Sequence, residues 1–147
     1  MSEHVHKRHN KNLLLYHLVC PVKYRRDVIT IGVEKTIKQV CLEISKRYEI
    51  NFVEIVVDND HVHFLLQSVP SISPSQLAQV IKSILAKQIF KLHPEIKEIL
   101  WGGQFWTSGY YINSVGQYAT EQMIQRYVKK QGQRYIQIHK EQLTLFN

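Results

Sequence analysis

Asp60-His61-Val62-His63 sets two imidazoles two positions apart at the start of the apolar run that continues through Phe64, Leu65 and Leu66. If that run is a β-strand, its side chains alternate between faces, so His61 and His63 share one face while Val62 and Phe64 take the other. Two strand rises place their Cα atoms roughly 6.6 Å apart, close enough for both rings to lean onto one metal ion. An ordinary amphipathic strand can carry such a pair without any metal, so other residues must decide. Further along, Tyr127 and Gln131 lie one helical turn apart, which aims a phenol and an amide from the same helix face. Arg126, Lys129, Lys130 and Arg134 surround that phenol with positive charge, and Met123, Ile124 and Val128 can anchor an adjoining apolar face. On the helix alone, a core aromatic is the competing reading of Tyr127.

These groups need a scaffold, and the chain is long enough to supply one. Its 147 residues make one domain with room for a core. Lys and Arg outnumber Asp and Glu 19 to 12, a formal charge of +7, which favours a polyanionic partner such as nucleic acid, although an acidic membrane surface would also attract it. No run of about 18 apolar residues is present and the polar start Met1 to Arg8 has no signal-peptide core, which predicts a soluble, cytoplasmic protein. Cys20 and Cys41 lack the spacing of a zinc or redox site and are read as reduced structural thiols.

Residues 1–11 are polar and read as a loose arm, with His4 and His6 solvated. From Asn12 to Val22 the run is apolar on both faces, as in a central strand, and Pro21 ends it. Lys23-Tyr24-Arg25-Arg26 follows, a basic cluster with an aromatic inside that suits phosphate contacts and base stacking, or else a solvated loop. Apolar residues at Val33, Ile37, Val40, Cys41, Ile44 and Tyr48 predict an amphipathic helix. Asn51 to Val57 and His61 to Val69 form a hairpin about the turn Asp58-Asn59-Asp60. Ser71 to Ser75, with Pro70 and Pro74, reads as a loop with helix-start chemistry leading into a second helix from Ser75 or Gln76 to about Leu92, with Lys87 and Lys91 on one outer face that is either solvated or used to bind a nucleic-acid backbone. Phe105 to Ile112 is read as a fourth strand with most of its rings in the core. A last helix spans about Thr120 to Gln131, stopped by Gly132, with a mixed tail over 134–147. His17, His93 and His139 have no partner at ligand spacing and are read as structural or solvated.

The resulting order, β-α-β-β-α-β followed by a helix, is the ferredoxin-like α+β arrangement, an antiparallel sheet in which the first and third strands are central. The C-terminal helix carrying Tyr127 is then the element left to cover the histidine face.

The residues resemble the single-tyrosine HUH transposases (TnpA) of insertion sequences that move as single-stranded DNA, and their domesticated palindrome-associated relatives. The likeness rests on Cys20-Pro21-Val22-Lys23-Tyr24-Arg25-Arg26, on Asp60-His61-Val62-His63, on Trp101 through Ser114-Val115-Gly116, and on Tyr127 with Gln131, spanning roughly residues 9 to 133. Family members run from Cys-Pro directly to Lys-Tyr-Arg, so Val22 is an insertion here.

The resemblance implies a single HUH transposase domain over 1–147 in which Tyr127 is the nucleophile and His61, His63 and Gln131 hold a divalent metal, Mg2+ or Mn2+. It implies metal-dependent cleavage and rejoining of single-stranded DNA at hairpin-marked ends through a 5′-phosphotyrosine intermediate, by a homodimer in which the tyrosine of one subunit can serve the histidines of the other. Lys23, Tyr24, Arg25, Arg26 and Lys87 would make the DNA contacts. Two other readings stay open: a domesticated relative that nicks palindromic repeats without mobilising itself, and a ferredoxin-like nucleic-acid-binding module without catalysis. The latter predicts metal-independent binding and no covalent adduct.

Overall fold

The structure is a computed structural model, and it describes residues 14–115; Tyr127, Gln131, the predicted last helix, the arm and the tail lie outside the described residues. Strand β1 covers Leu14–Pro21 and runs into a single 3-10 turn, Lys23–Arg25. Helix α1, Ile31–Arg47, leads to the hairpin of β2, Ile50–Val57, and β3, His61–Ser68. Helix α2, Pro74–Leu92, and the short helix α3, Glu95–Ile99, precede β4, Tyr111–Val115. All pairings are antiparallel and the sheet order is β2-β3-β1-β4, so β1 and β3 are central as the ferredoxin-like reading expects.

Local chemistry sets the helix boundaries. The Thr30 hydroxyl accepts from the Val33 backbone N–H at 3.3 Å and caps α1. Ser73 and Gln76 form a reciprocal capping box at the start of α2, with Pro74 at the first helical position, where its missing N–H costs nothing. Both helices pack on one face of the sheet. Leu18 and Cys20 of β1, Phe52 and Ile55 of β2, and Val62, Phe64 and Leu66 of β3 meet Ile37, Cys41 and Ile44 of α1 and Leu77, Ile81 and Leu85 of α2 in one core. Each fully buried large side chain there contributes roughly 1.5–3 kcal/mol. Cys20 and Cys41 are free thiols inside this core, and burial pushes the Cys20 thiol up to about 12, so both act as packing groups.

The second face of the sheet carries the residues that alternate with this set. A small apolar cluster of Leu15, Val53 and Leu65, with Val115 against it, lies at one end, and His61 and His63 stand toward the other. A β-bulge between Phe52 and Glu54 sets Val53 and Glu54 together against Leu65, so Glu54 falls on this face, where it is 1% exposed.

One predicted element is displaced. The fourth strand begins at Tyr111, and Phe105–Gly109 is irregular apart from a single bridge between Trp106 and Val22. Phe105 and Trp106 are both buried, which a strand with one solvated face cannot give two successive residues. Trp106 Nε1 donates to the Lys82 carbonyl at 3.0 Å, and Lys82 Nζ donates to the carbonyls of Thr107, Ser108 and Gly109, removing them from any ladder. Tyr110 and Tyr111 are exposed, not core. Val22 is fully buried and its N–H donates to the Asp60 carbonyl at 2.8 Å, joining the end of β1 to the turn before β3. Among the described residues no helix is long and apolar enough to cross a membrane.

Candidate metal and DNA site

His61 is the first residue of β3 and His63 the third, so the alternation read from the sequence holds: Val62 and Phe64 are fully buried under the helices and both histidines lie half-buried on the opposite face. The hairpin turn gives His61 its orientation. Its Nδ1 lies 2.8 Å from Asp60 Oδ1, and the other carboxylate oxygen accepts from Arg25 Nε at 3.1 Å. Asp60 therefore bridges the histidine and the basic turn. The hydrogen bond from His61, and then that from Arg25, holds the Asp60 carboxyl below its ordinary range. A carboxylate that accepts from Nδ1–H fixes the tautomer with the lone pair on Nε2, which is how ligand histidines are commonly prepared.

His63 lies deeper. Burial, followed by the charges of His17 and His61, lowers it to about 4, so at neutral pH it is an uncharged imidazole able to give a lone pair to a cation. Its Nε2 is 3.3 Å from Nδ1 of His17 on β1, with the ring centroids 5.1 Å apart and the planes tilted by 39°. His17 therefore has a partner, contrary to the sequence reading. The two are 46 residues apart, and only the β1–β3 register brings them together. Asp60 was legible in the sequence as a turn residue and as the first residue of the Asp60-His61-Val62-His63 motif, but its contact with the His61 ring was not assigned.

The donor set fits a divalent transition metal in part. Among the described residues no group of three His, Cys, Asp or Glu side chains is gathered to hold an ion, so an ion held by His61 and His63 would need a further ligand from elsewhere. Gln131, the expected third ligand, and Tyr127, the expected nucleophile, lie outside the described residues.

The basic turn is built under strain. Tyr24 has φ 59° and Arg25 φ 52°, two successive non-glycine residues in the left-handed region. The turn is held from several sides: Lys23 N–H donates to the Phe105 carbonyl, Lys23 Nζ to Gln104 Oε1, and Arg26 Nη2 to the Ile99 carbonyl. The Tyr24 ring is left 64% exposed, with the Lys23 ammonium 5.4 Å from its centroid. Arg25 is joined to the histidines through Asp60, whereas Lys23 and Arg26 face the 99–105 segment. Gln104 also lines an open cleft of about 430 Å3 between α2 and the 103–110 segment. Lys87 is exposed on α2, in the helix layer behind the sheet, and the fold does not bring it to the histidine face.

Comparison with known proteins shows which family the chain resembles. The family described as "Transposase IS200 like" matches residues 10–131. The ISDra2 transposase TnpA of Deinococcus radiodurans is 33% identical over 118 residues, covering 80% of this chain and 84% of that protein. The transposase for insertion sequence element IS200 of Salmonella typhimurium is 26% identical over 116 residues, covering 79% and 75%. Among solved structures, a Deinococcus radiodurans R1 protein described as a candidate transposase superposes with a TM-score of 0.68 at 29% identity, over 84% of this chain and 95% of that one. A REP-associated tyrosine transposase bound to a REP hairpin superposes with a TM-score of 0.54 at 10% identity, over 76% and 62%, which shows a shared fold.

Proposed function

The chain belongs to the IS200-like transposase family, and from that premise we propose that it cuts and rejoins single-stranded DNA at hairpin-marked ends by metal-assisted transesterification through Tyr127. The observation that carries this reading is the Asp60–His61 contact, with His63 on the same face of the same strand. That arrangement is what a metal centre asks of its ligands.

In this reading His61, His63 and Gln131 hold Mg2+ or Mn2+, and two neutral imidazoles suit manganese better than magnesium. When bound, the ion offsets charge developing on the scissile phosphate. The chain's own residues do the rest. The Tyr127 phenol, with a reference pKa of about 10, loses its proton as it attacks phosphorus, and the positive charge of Arg126, Lys129 and Lys130, its neighbours in sequence, favours the phenolate. The phosphorus–O3′ bond breaks as the phosphorus–tyrosine bond forms, leaving a 5′-phosphotyrosine and a free 3′-hydroxyl. A returning 3′-hydroxyl reverses the exchange, so rejoining needs no ATP. Lys23, Arg25, Arg26 and Lys87 contact phosphates, and the exposed Tyr24 ring stacks on an unpaired base. The chain acts as a single domain over 1–147 and as a homodimer, in which Tyr127 serves the histidines of its own subunit or of the partner.

The test is a denaturing gel of the protein incubated with a labelled single-stranded hairpin oligonucleotide from its flanking DNA, with Mn2+ or with EDTA. A covalent adduct that needs Mn2+ and vanishes in Tyr127→Phe is the expected result. Equal hairpin binding in EDTA with no adduct under any condition would favour the non-catalytic module.

A further inference from the structure

The second histidine of the pair has a neighbour that no motif assigns to the site. His17 and His63 sit on adjacent central strands, and the antiparallel register sets His17 opposite Leu65 and His63 opposite Val19, so the two are diagonal neighbours on one face. Diagonal Cβ atoms are about 7–8 Å apart, a gap that aromatic side chains can bridge. Here the rings close it, with His17 Nδ1 at 3.3 Å from His63 Nε2.

We infer that His17 is a positioning residue of the metal centre, fixing the tautomer and ring orientation of His63 as Asp60 does for His61, an assignment that rests on the metal-dependent reading above. The argument is one of proton count. A neutral imidazole has one N–H and one lone pair, so two facing nitrogens attract only if one carries the proton and the other does not. The facing nitrogens of these two half-buried rings are 3.3 Å apart, too close for both to carry a proton. Two tautomer arrangements remain. If His17 Nδ1–H donates, it occupies the His63 Nε2 lone pair and leaves the His63 proton on Nδ1, so His63 has nothing to offer a cation. If His63 Nε2–H donates to His17 Nδ1, the His63 lone pair is on Nδ1 and the ring is competent as a ligand. The group at position 17 thus decides whether His63 can bind metal, and its backbone is held on a central strand flanked by β3 and β4.

The test separates this role from plain packing. Long-range 1H–15N spectra of the imidazole rings in the metal-free wild type should report His63 as the Nε2–H tautomer; an Nδ1–H tautomer would overturn the assignment without any variant. Mn2+ affinity, read from loss of the free-ion EPR signal without DNA, should fall roughly 10- to 100-fold in His17→Leu. It should largely recover in His17→Asn, whose amide keeps a hydrogen-bonding group near the Nδ1 position. Wild-type affinity in His17→Leu, or an Asn variant as weak as Leu, would overturn the positioning role while leaving the metal reading intact. If the wild type takes up no Mn2+ and His61→Ala changes nothing, both readings fall together.

Discussion

Asp60 holds His61 through a 2.8 Å contact to Nδ1 while its second oxygen takes Arg25, so one carboxylate ties the first candidate ligand to the turn proposed to hold DNA. Asp60→Ala should lower Mn2+ affinity roughly 10- to 100-fold by freeing the His61 ring, with only a small change in melting midpoint because the carboxylate is part of a surface turn. Calorimetric titration of Mn2+ into the DNA-free protein checks this. Undiminished affinity would mean that Asp60 serves the turn alone.

Glu54 predicts a pH dependence of stability. It is buried, neither carboxylate oxygen has a hydrogen-bond partner among the described residues, and burial pushes its carboxyl up to about 9 from an ordinary 4.5. Between those values the folded chain keeps a proton that the unfolded chain has released. This contribution therefore favours folding fully below the ordinary value and is lost as pH rises toward 9, with a slope approaching ~1.4 kcal/mol per pH unit. Glu54→Gln removes the titration. Its gain in urea midpoint over the wild type should grow from pH 5 to pH 8, and a gain independent of pH would refute the account.

Tyr24 predicts opposite signs for stability and binding. Relieving a left-handed residue with Tyr24→Gly should stabilise the fold by about 1 kcal/mol, the usual cost of that conformation for a residue with a Cβ. The same change removes the exposed ring, and loss of one base stack should weaken single-stranded DNA binding by about 1–3 kcal/mol. Chemical denaturation and a fluorescence-anisotropy titration measure the two independently, and two changes of the same sign would contradict the assignment.

The charged residues should differ in their salt signature. Arg25 lies beside the histidines and Lys87 on the far helix layer. If a residue contacts a phosphate of single-stranded DNA, its replacement by Gln should reduce the slope of log affinity against log salt by about 0.7. Arg25→Gln is expected to show that loss with any substrate. Lys87→Gln should show it only with a hairpin long enough to reach round the sheet, and a loss with a short linear oligonucleotide would place Lys87 in the cleavage-strand path instead.

What could be read from the chain divides along a physical line. Periodicity and punctuation are local, so α1, α2 and the β2–β3 hairpin stood within a residue or two of where the apolar spacing, the Pro70–Pro74 loop and Asp58-Asn59-Asp60 put them. The fold followed from their order. The start of β4 was misplaced because an aromatic run looks like a strand, whereas Phe105 and Trp106 are drawn into the helix-side core and the three carbonyls that follow are taken by Lys82. At the site, two residues on one strand were legible from parity alone. His17 was not, since its link to His63 depends on which strands pair and in which register. Short helix α3 went unread because Pro94 and the nearby glycines dominate its surroundings.

The bulge in β2 has a further meaning in terms of chain length. Phe52 pairs with Leu66 and Ile55 with Phe64, so two residues of β2, Val53 and Glu54, span the place of Leu65 alone. The sheet needs only one of them. Deleting either would leave every other side chain of β2 on its present face, whereas a deletion elsewhere in the strand would turn the side chains beyond it inside out. Of the two residues the ladder could spare, one is a buried acid whose place a valine could take, so the sheet keeps Glu54 at a cost in stability that its own geometry does not require.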